Sequence, residues 1–406
     1  MTERVVVTGL GVVSPFGTSV DEFAATLLDG SSAVAPVSTF DVSTCAARCA
    51  AAVARFQPTD WIPPLKLRRL DVTSQYAVAI ARQALDGAGV AYGIEPDDEA
   101  GIVFGTYTAG GAPTEEFLEK LFTLGPVNVP TIIFNATVGN IAASITGLEL
   151  KLRGPNVTVS QKEASGLLAI GHAVDLLQTR QARVLVAGGV DALYPLFFRV
   201  HDSFRVLSHT NGAPEGSRPF DATRNGFVLG EGGFGVALEL ASAARARRGP
   251  VLAEVLSVER GGATTGLNQW PTTPEPMVRV IRRAIAGAGL EVDAIDVVYA
   301  SANSSKDLDR VEALALADVF GGRRTVVTSI KGSIGESSAA GAASVVAAIA
   351  CARSGGVPPT AGLHSPDAAC AGLTLATTAR PAGPLALVNS VASGGALASI
   401  VLRVAA

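Results

Sequence analysis

Twice along the chain, a short apolar stretch runs into a polar turn, and the turn opens a stretch of small residues with helical spacing. Residues 157–159 lead through 160–166 into the first such helix, and residues 325–330 lead through 331–338 into the Ala-rich segment 339–352. Strands that alternate with helices are typical of layered α/β proteins. The pattern therefore predicts an α/β fold, and its recurrence indicates two similar halves.

A polar stretch in the middle of the chain, residues 241–250, predicts the boundary between these halves. We therefore divide the chain into an N-terminal half, residues 1–250, and a C-terminal half, residues 251–406. Apolar β-branched runs predict further strands at 5–13, 101–105, 184–187, 297–300, 385–388 and 398–404. Apolar residues at four-residue spacing predict a helix over 71–86, ended by Gly87 and Gly89.

The composition excludes several classes of protein. Hydrophobic residues make up 48% of the chain and charged residues 17%, which is too apolar for a disordered chain. A net charge of -4 gives no basic surface for nucleic acid. Segment 339–352 is shorter than the roughly 20 residues of a membrane span, and the N-terminus shows no signal-peptide pattern. We therefore expect a soluble, cytoplasmic protein that binds neither nucleic acid nor a membrane.

The cysteines and histidines do not indicate a metal site. Cys45 and Cys49 stand four residues apart, but no histidine or second cysteine pair lies near them, so small-residue packing explains them better. The remaining cysteines, Cys351 and Cys370, are isolated, and none of the four histidines has the spacing of a zinc hydrolase. We expect no metal and no cofactor.

The polar turns are the places where chemistry is most plausible, because a helix start stabilises an anion. The first turn places Glu163 at the mouth of a helix, and the second carries Lys331 and Glu336. On these residues alone, a favourable charge at a helix start explains Glu163 better than catalysis does. The turns and the loop 301–307 contain no Cys or His, so they offer no pair of nucleophile and base.

Several long motifs nevertheless point to one family. The opening VVVTGLGVVSPFG at 5–17, the block SRPFDATRNGFVLGEG at 217–232, the segment VAGGV at 186–190 and the stretch from Asn389 to Gly395 occur in order. Together they resemble the β-ketoacyl-acyl-carrier-protein synthase family over essentially the whole chain. The resemblance implies a thiolase-like, five-layered αβαβα fold built from two similar halves.

The resemblance also implies that the family's catalytic groups are missing. Its nucleophilic Cys corresponds to Glu163, and its two His correspond to Ser301 and Glu336, while the Lys is retained as Lys331. The gating loop of the family corresponds to residues 392–395, with Ser393 in it. Decarboxylative condensation needs a thiolate and two imidazoles, so we expect no catalytic residues in this chain.

A family member without these groups resembles a chain length factor, the β subunit of a type II polyketide ketosynthase in antibiotic biosynthesis. The resemblance implies a heterodimer with a catalytic α subunit, which extends an aromatic or polyene chain carried on an acyl carrier protein. Such subunits typically have Gln in a Gln-Ala-Gly-Gly context, whereas residues 163–166 read Glu-Ala-Ser-Gly, which indicates a divergent branch.

In this interpretation the chain shapes the tunnel that sets polyketide chain length. The predicted tunnel and interface residues are Tyr107, Thr108, Gly111 and Phe134, with the bulky Tyr107 and Phe134 as candidate gates. We also expect Glu163, Glu336 and Lys331 to converge in a pocket of net negative charge.

Two other interpretations remain open from the sequence. The first is a stand-alone 3-oxoacyl-acyl-carrier-protein synthase-like acyltransferase with an unorthodox active site. The second is a homodimer with a purely structural or binding role. The sequence leaves open the product and its length, the aromatic or polyene pathway, and the role of Glu163.

Overall fold

Ten strands form the framework of residues 3–68, 70–211 and 213–405, which are the residues that the computed structural model describes. The first five are β1 (Val5–Val13), β2 (Ala100–Gly105), β3 (Asn156–Val159), β4 (Val184–Asp191) and β5 (Gly232–Leu240). The second five are β6 (Ala253–Gly262), β7 (Val297–Tyr299), β8 (Val326–Thr328), β9 (Leu385–Val391) and β10 (Ala396–Val404). A two-residue strand, Thr374–Leu375, extends the edge beyond β8.

The two sets of strands have the same topology. Their spatial orders are β3-β2-β4-β5-β1 and β8-β7-β9-β10-β6. In both sets the three outer strands run parallel, and the next two pairings are antiparallel. A short antiparallel pairing of β1 with β6 joins the sets into one sheet. The prediction of two similar halves is confirmed, whereas the predicted boundary after residue 250 stays a prediction.

Helices cover the sheet on both faces and separate its two halves. In chain order they are α1 (Val20–Leu28), α2 (Pro64–Leu67), α3 (Val72–Ala88), α4 (Gly111–Leu124), α5 (Thr131–Phe134), α6 (Ile141–Leu150), α7 (Ser165–Gln178), α8 (Pro195–Ser203), α9 (Ala241–Ala246), α10 (Glu275–Gly287), α11 (Lys306–Phe320), α12 (Lys331–Ile334) and α13 (Ala340–Arg353). Short 3-10 turns lie at Pro58–Asp60, Lys162–Ala164, Val292–Ala294 and Ala368–Cys370.

The helices and strands stack in five layers. Helices α7 and α13 pack against each other in the middle and against strands of both halves. Helices α3 and α6 cover the outer face of the first half, and α10 and α11 cover that of the second. Because every α13 residue from Ala340 to Cys351 is buried, this helix needs the small, apolar composition that the sequence shows. The predicted αβαβα layering is confirmed.

The long helix α3 differs slightly from its prediction. It begins at Val72 because the Asp71 side chain accepts a hydrogen bond from the Ser74 N–H, 3.2 Å away, as an N-cap. It continues through Gly87 to Ala88 and ends at Gly89, whose φ of 67° is left-handed. The prediction that both glycines end the helix was wrong for Gly87.

No helix in the described part of the chain combines the length and the apolar character that crossing a membrane requires.

Helix α3 lies so close to β1 that only glycine fits at the contact. A Cβ atom on Gly9 would stand 1.9 Å from the carbonyl oxygen of Ala84, and one on Gly11 would stand 2.1 Å from that of Ile80. These neighbours are backbone atoms of a buried helix, so they cannot turn aside as a side chain can.

We predict that Gly9→Ala lowers the free energy of unfolding by about 3 kcal/mol, because it forces α3 away from β1. Urea unfolding of the purified variant measures this loss. Gly287→Ala is the matched control, since its Cβ would meet its nearest atom, the Cβ of Ser257, at an ordinary 3.5 Å. Equal stability of the Gly9→Ala protein and the wild type would show that the close contact does not limit this packing.

Candidate functional site

The turn between β3 and α7 holds Glu163 in a fixed, buried position. Glu163 lies in the 3-10 turn Lys162–Ala164, with 7% of its surface exposed. The Ser165 hydroxyl accepts from the Gln161 N–H at 2.8 Å and donates to the Lys162 carbonyl at 2.6 Å. A Cβ on Gly105 of β2 would stand 2.2 Å from the Ser165 carbonyl carbon, so β2 approaches the turn closely.

The Glu163 carboxyl group is bonded to the loop 392–395. It accepts from the Ser393 N–H at 2.9 Å and from the Ser393 hydroxyl at 3.0 Å. Burial raises the pKa of Glu163 to about 7, and the nearby charge of Glu336 adds to the effect. Glu163 is therefore only partly ionised at neutral pH. It does not cap helix α7, because the N-cap residue of that helix is Ala164.

A second buried network contains the other predicted positions. Lys331 and Glu336 form an ion pair at 2.7 Å, and their side chains are 2% and 3% exposed. The Asn303 amide donates to Glu336 at 2.7 Å. The Lys331 ammonium lies 3.4 Å from the Ser301 hydroxyl, which accepts from the Val391 N–H at 3.0 Å. Burial raises the pKa of Glu336, and Lys331 opposes that shift.

The structure brings Glu163 and Glu336 to one small cavity, while Ser301 lies behind it through its contact with Lys331. Lys331 does not bind both carboxyl groups, because its ammonium donates to Glu336, whereas Glu163 accepts its hydrogen bond from the Ser393 hydroxyl. The sequence predicted a pocket of net negative charge, with two carboxylates and one ammonium. The negative charge is smaller than that, because Glu163 is partly protonated at neutral pH.

The predicted tunnel residues fall into two places. Tyr107 lines the cavity beside Glu163 and packs edge-on against Phe197, with ring centroids 5.1 Å apart. Thr108 is buried beneath it, and its hydroxyl lies 3.0 Å from the Asp191 carboxylate. Gly111 packs against Tyr194, whose hydroxyl would be 2.2 Å from a Cβ at this position.

Phe134 lies apart from these residues. It belongs to α5, is 57% exposed, and packs against Phe117 of α4 with ring centroids 5.6 Å apart. The structure therefore brings Tyr107 and Thr108, but not Phe134, to the cavity that Glu163 lines. An interface role for Phe134 stays a prediction.

Sequence reasoning missed two residues at the site. His201, on α8, faces the cavity with its ring 4.3 Å from that of Phe197, and burial lowers its pKa. Asp191 accepts hydrogen bonds from the Tyr107 and Thr108 N–H groups and, at 2.6 Å, from that of Ser338. Asp191 ends strand β4, and this position was a detectable signal because functional residues concentrate in the loops that rigid elements position. No spacing in the sequence connects His201 with Glu163.

A larger cavity of about 360 Å³ adjoins this site and opens toward the surface. Aromatic and aliphatic side chains form much of its wall, and Lys162, Glu163, His201 and Ser393 are among its polar residues. In the described residues, none of the four cysteines lines either cavity. Among the same residues, no three His, Cys, Asp or Glu side chains form a cluster that could hold a metal ion.

The architecture and the site agree with a match to known families. The family described as "Beta-ketoacyl synthase, N-terminal domain" matches residues 2–244, and "Beta-ketoacyl synthase, C-terminal domain" matches residues 255–364. The chain belongs to the β-ketoacyl synthase family. This membership confirms the thiolase-like fold that the sequence motifs implied.

Relatives within the β-ketoacyl synthase family are similar along most of their length. The chain is 32% identical over 372 residues to 3-oxoacyl-[acyl-carrier-protein] synthase 2 of Coxiella burnetii, covering 90% of each protein. It is 32% identical over 386 residues to the granaticin polyketide putative beta-ketoacyl synthase 1 of Streptomyces violaceoruber, covering 91% of this chain and 90% of that one. The solved ishigamide ketosynthase/chain length factor superposes with a TM-score of 0.91 at 29% identity, over 100% of both chains.

The raised pKa of Glu163 gives a testable dependence of stability on pH. In the unfolded chain the carboxyl group has its ordinary pKa of 4.5, and in the folded chain the pKa is about 7. Between these values the folded protein retains a proton that the unfolded chain releases, so stability from this group is full below pH 4.5 and is lost as pH rises to about 7. The loss is on the order of 3 kcal/mol.

We therefore predict that wild type loses stability relative to Glu163→Gln as the pH rises from about 5 to about 8. Urea unfolding of both proteins across this range measures the difference, and the other buried carboxyl groups cancel because both proteins contain them. Parallel pH profiles of the two proteins would contradict the raised pKa of Glu163.

Proposed function

We propose that this chain is the non-catalytic, chain-length-factor-type subunit of a β-ketoacyl synthase pair. It forms a heterodimer with a catalytic ketosynthase and shapes the tunnel in which a polyketide grows on an acyl carrier protein. The observation that carries the proposal is that Glu163, Ser301 and Glu336, at the positions corresponding to the catalytic groups, are buried and hydrogen-bonded to the chain's own residues.

The chemistry of the remaining thiols supports this proposal. A condensing enzyme attacks its acyl donor with a thiolate, which requires a lowered thiol pKa. Burial instead raises the pKa of Cys351 and of Cys370 to about 12, and that of Cys49 to about 11. The pKa of Cys45 is raised as well. His201 offers an imidazole at the cavity, but among the described residues no cysteine lines either cavity that it faces.

An apolar surface supports the heterodimer. Between residues 118 and 148, eight large hydrophobic side chains are exposed: Leu118, Phe122, Leu124, Val127, Ile132, Phe134, Val138 and Leu148. Strand β3 follows this segment and pairs only with β2 among the described residues, which leaves one edge of the sheet free. Large exposed apolar side chains and an open strand edge are features of protein–protein interfaces. The ishigamide neighbour is described as a ketosynthase/chain length factor, which agrees with such a pair.

We predict that co-expression of this chain with its catalytic ketosynthase partner yields a one-to-one complex through the 118–148 surface. Phe122→Asp, at a side chain that is 82% exposed, should abolish copurification because it buries a charge in the interface. Ile94→Asp is the matched control, since Ile94 is 74% exposed in a different, acidic loop. A stable, well-behaved chain that never binds the ketosynthase would contradict the heterodimer.

Tyr107 is the side chain at the cavity best placed to limit the length of the product. It lies between the Glu163 cavity and the surface, and Asp191 fixes its backbone N–H at 2.9 Å. Because protein interiors tolerate little overpacking, we expect this ring, which packs edge-on against Phe197, to stop a growing chain.

We predict that Tyr107→Ala in the heterodimer lengthens the polyketide by at least one extender unit, because it removes this steric stop. Mass spectrometry of the released products measures the length. Tyr92→Ala is the control, because Tyr92 lies in the acidic loop away from the cavity. Products of unchanged length from the Tyr107→Ala complex would place the stop elsewhere.

A second candidate function is a stand-alone acyltransferase, and one contact favours it. The Ser393 hydroxyl lies 3.0 Å from the Glu163 carboxyl group and 3.3 Å from the Lys162 ammonium, which resembles a nucleophile with two assisting groups. Several relatives are also named 3-oxoacyl-[acyl-carrier-protein] synthase 2. This candidate requires that the purified chain alone turns over acyl thioesters and that Ser393→Ala abolishes the turnover.

A further inference from the structure

The loop 392–395 is a tight connection between two antiparallel strands. It joins β9 to β10, and the Ala392 N–H donates to the Ala396 carbonyl at 2.9 Å. Gly394 and Gly395 have backbone φ angles of 106° and 93°, which residues other than glycine rarely adopt. Ser393 is therefore the residue of this loop whose side chain reaches the cavity wall.

Bonds from two distant parts of the chain hold the loop. Glu163 accepts one hydrogen bond from the Ser393 N–H and two contacts from its hydroxyl, at 2.9, 3.0 and 3.2 Å. Lys162 reaches the same hydroxyl at 3.3 Å, and its ammonium also bonds Asn268. The Gly394 N–H donates to the Gln269 carbonyl at 2.9 Å.

We propose that Glu163 is a positioning residue that locks the loop 392–395 onto the start of α7. Ser393 and Glu163 are 230 residues apart in sequence, so their contact joins the two halves of the molecule at the mouth of the cavity. Without the carboxyl group, the Ser393 N–H has no partner on this side and the loop is released. These contacts lie within one chain and need neither a partner subunit nor a substrate. A test of the lock is therefore independent of the proposed function.

The surroundings of Glu163 make the lock sensitive to protons. Glu336, in the loop after α12, and Tyr107, in the loop after β2, line the same cavity as the Glu163 carboxyl group. Lys162 and His201 line the adjoining larger cavity. Opening of the loop admits water to Glu163, and water favours its ionised form. By linkage, opening is therefore favoured as pH rises through the titration of Glu163 in the closed protein.

Hydrogen exchange of the Ser393 amide tests the lock directly. The experiment uses the purified chain in the oligomeric state in which it isolates, and it follows a peptide spanning residues 390–396. We expect Glu163→Ala to exchange this amide at least about tenfold faster than wild type, since the N–H loses its acceptor. Ser365→Ala, a change in an exposed loop elsewhere, is the control, and in this variant the Ser393 amide should exchange at the wild-type rate. An unchanged rate in Glu163→Ala would overturn the proposal.

A second comparison remains informative if Glu163→Ala does not fold. After correction for the intrinsic pH dependence of exchange, wild type should open about tenfold more readily at pH 8 than at pH 6, because Glu163 loses its proton. Glu163→Gln keeps a carbonyl acceptor and has no proton to release, so its opening should not change across this range. Identical pH trends in wild type and Glu163→Gln would contradict the lock.

Discussion

Charged side chains buried where the two halves meet constrain the whole site. A carboxylate removed from water either finds hydrogen-bond donors and a counter-charge or becomes protonated. Glu336 is held by the Lys331 ammonium and the Asn303 amide, both at 2.7 Å. Glu163 is held by Ser393 and retains its proton up to a pKa of about 7. Because these groups satisfy one another, the site is a closed polar network rather than a set of free reactive groups.

The duplicated topology explains why these residues meet. Strands β3 and β8 occupy equivalent places in the two halves, and each leads into one of the central helices α7 and α13. Because these helices pack against each other, the turns that precede them lie side by side. Asp191 adds a further tie, since its carboxylate accepts from Thr108 on one side and from the Ser338 N–H on the other. Each half therefore completes the site of the other.

The sequence predicted the strands and central helices well because their patterns are local. The strand at Val5–Val13 and the buried helix beginning at Ala340 follow from apolar runs and small residues. The long motifs also placed Glu163 and Glu336 near each other. Local patterns do not reveal contacts between side chains far apart in the chain, such as that of Glu163 with Ser393 or the approach of His201. The exposure of Phe134 depends on where α5 packs, which periodicity does not specify.

We propose that this chain supplies no nucleophile for the condensation and only forms part of the tunnel wall. Intact-protein mass spectrometry after incubation with an acyl-pantetheine thioester tests it most directly. We expect the purified chain to keep its unmodified mass, while the catalytic ketosynthase, incubated in parallel, gains the acyl group. A mass increase of one acyl group on this chain, located at Ser393 or at any other side chain, would show that the chain supplies its own nucleophile.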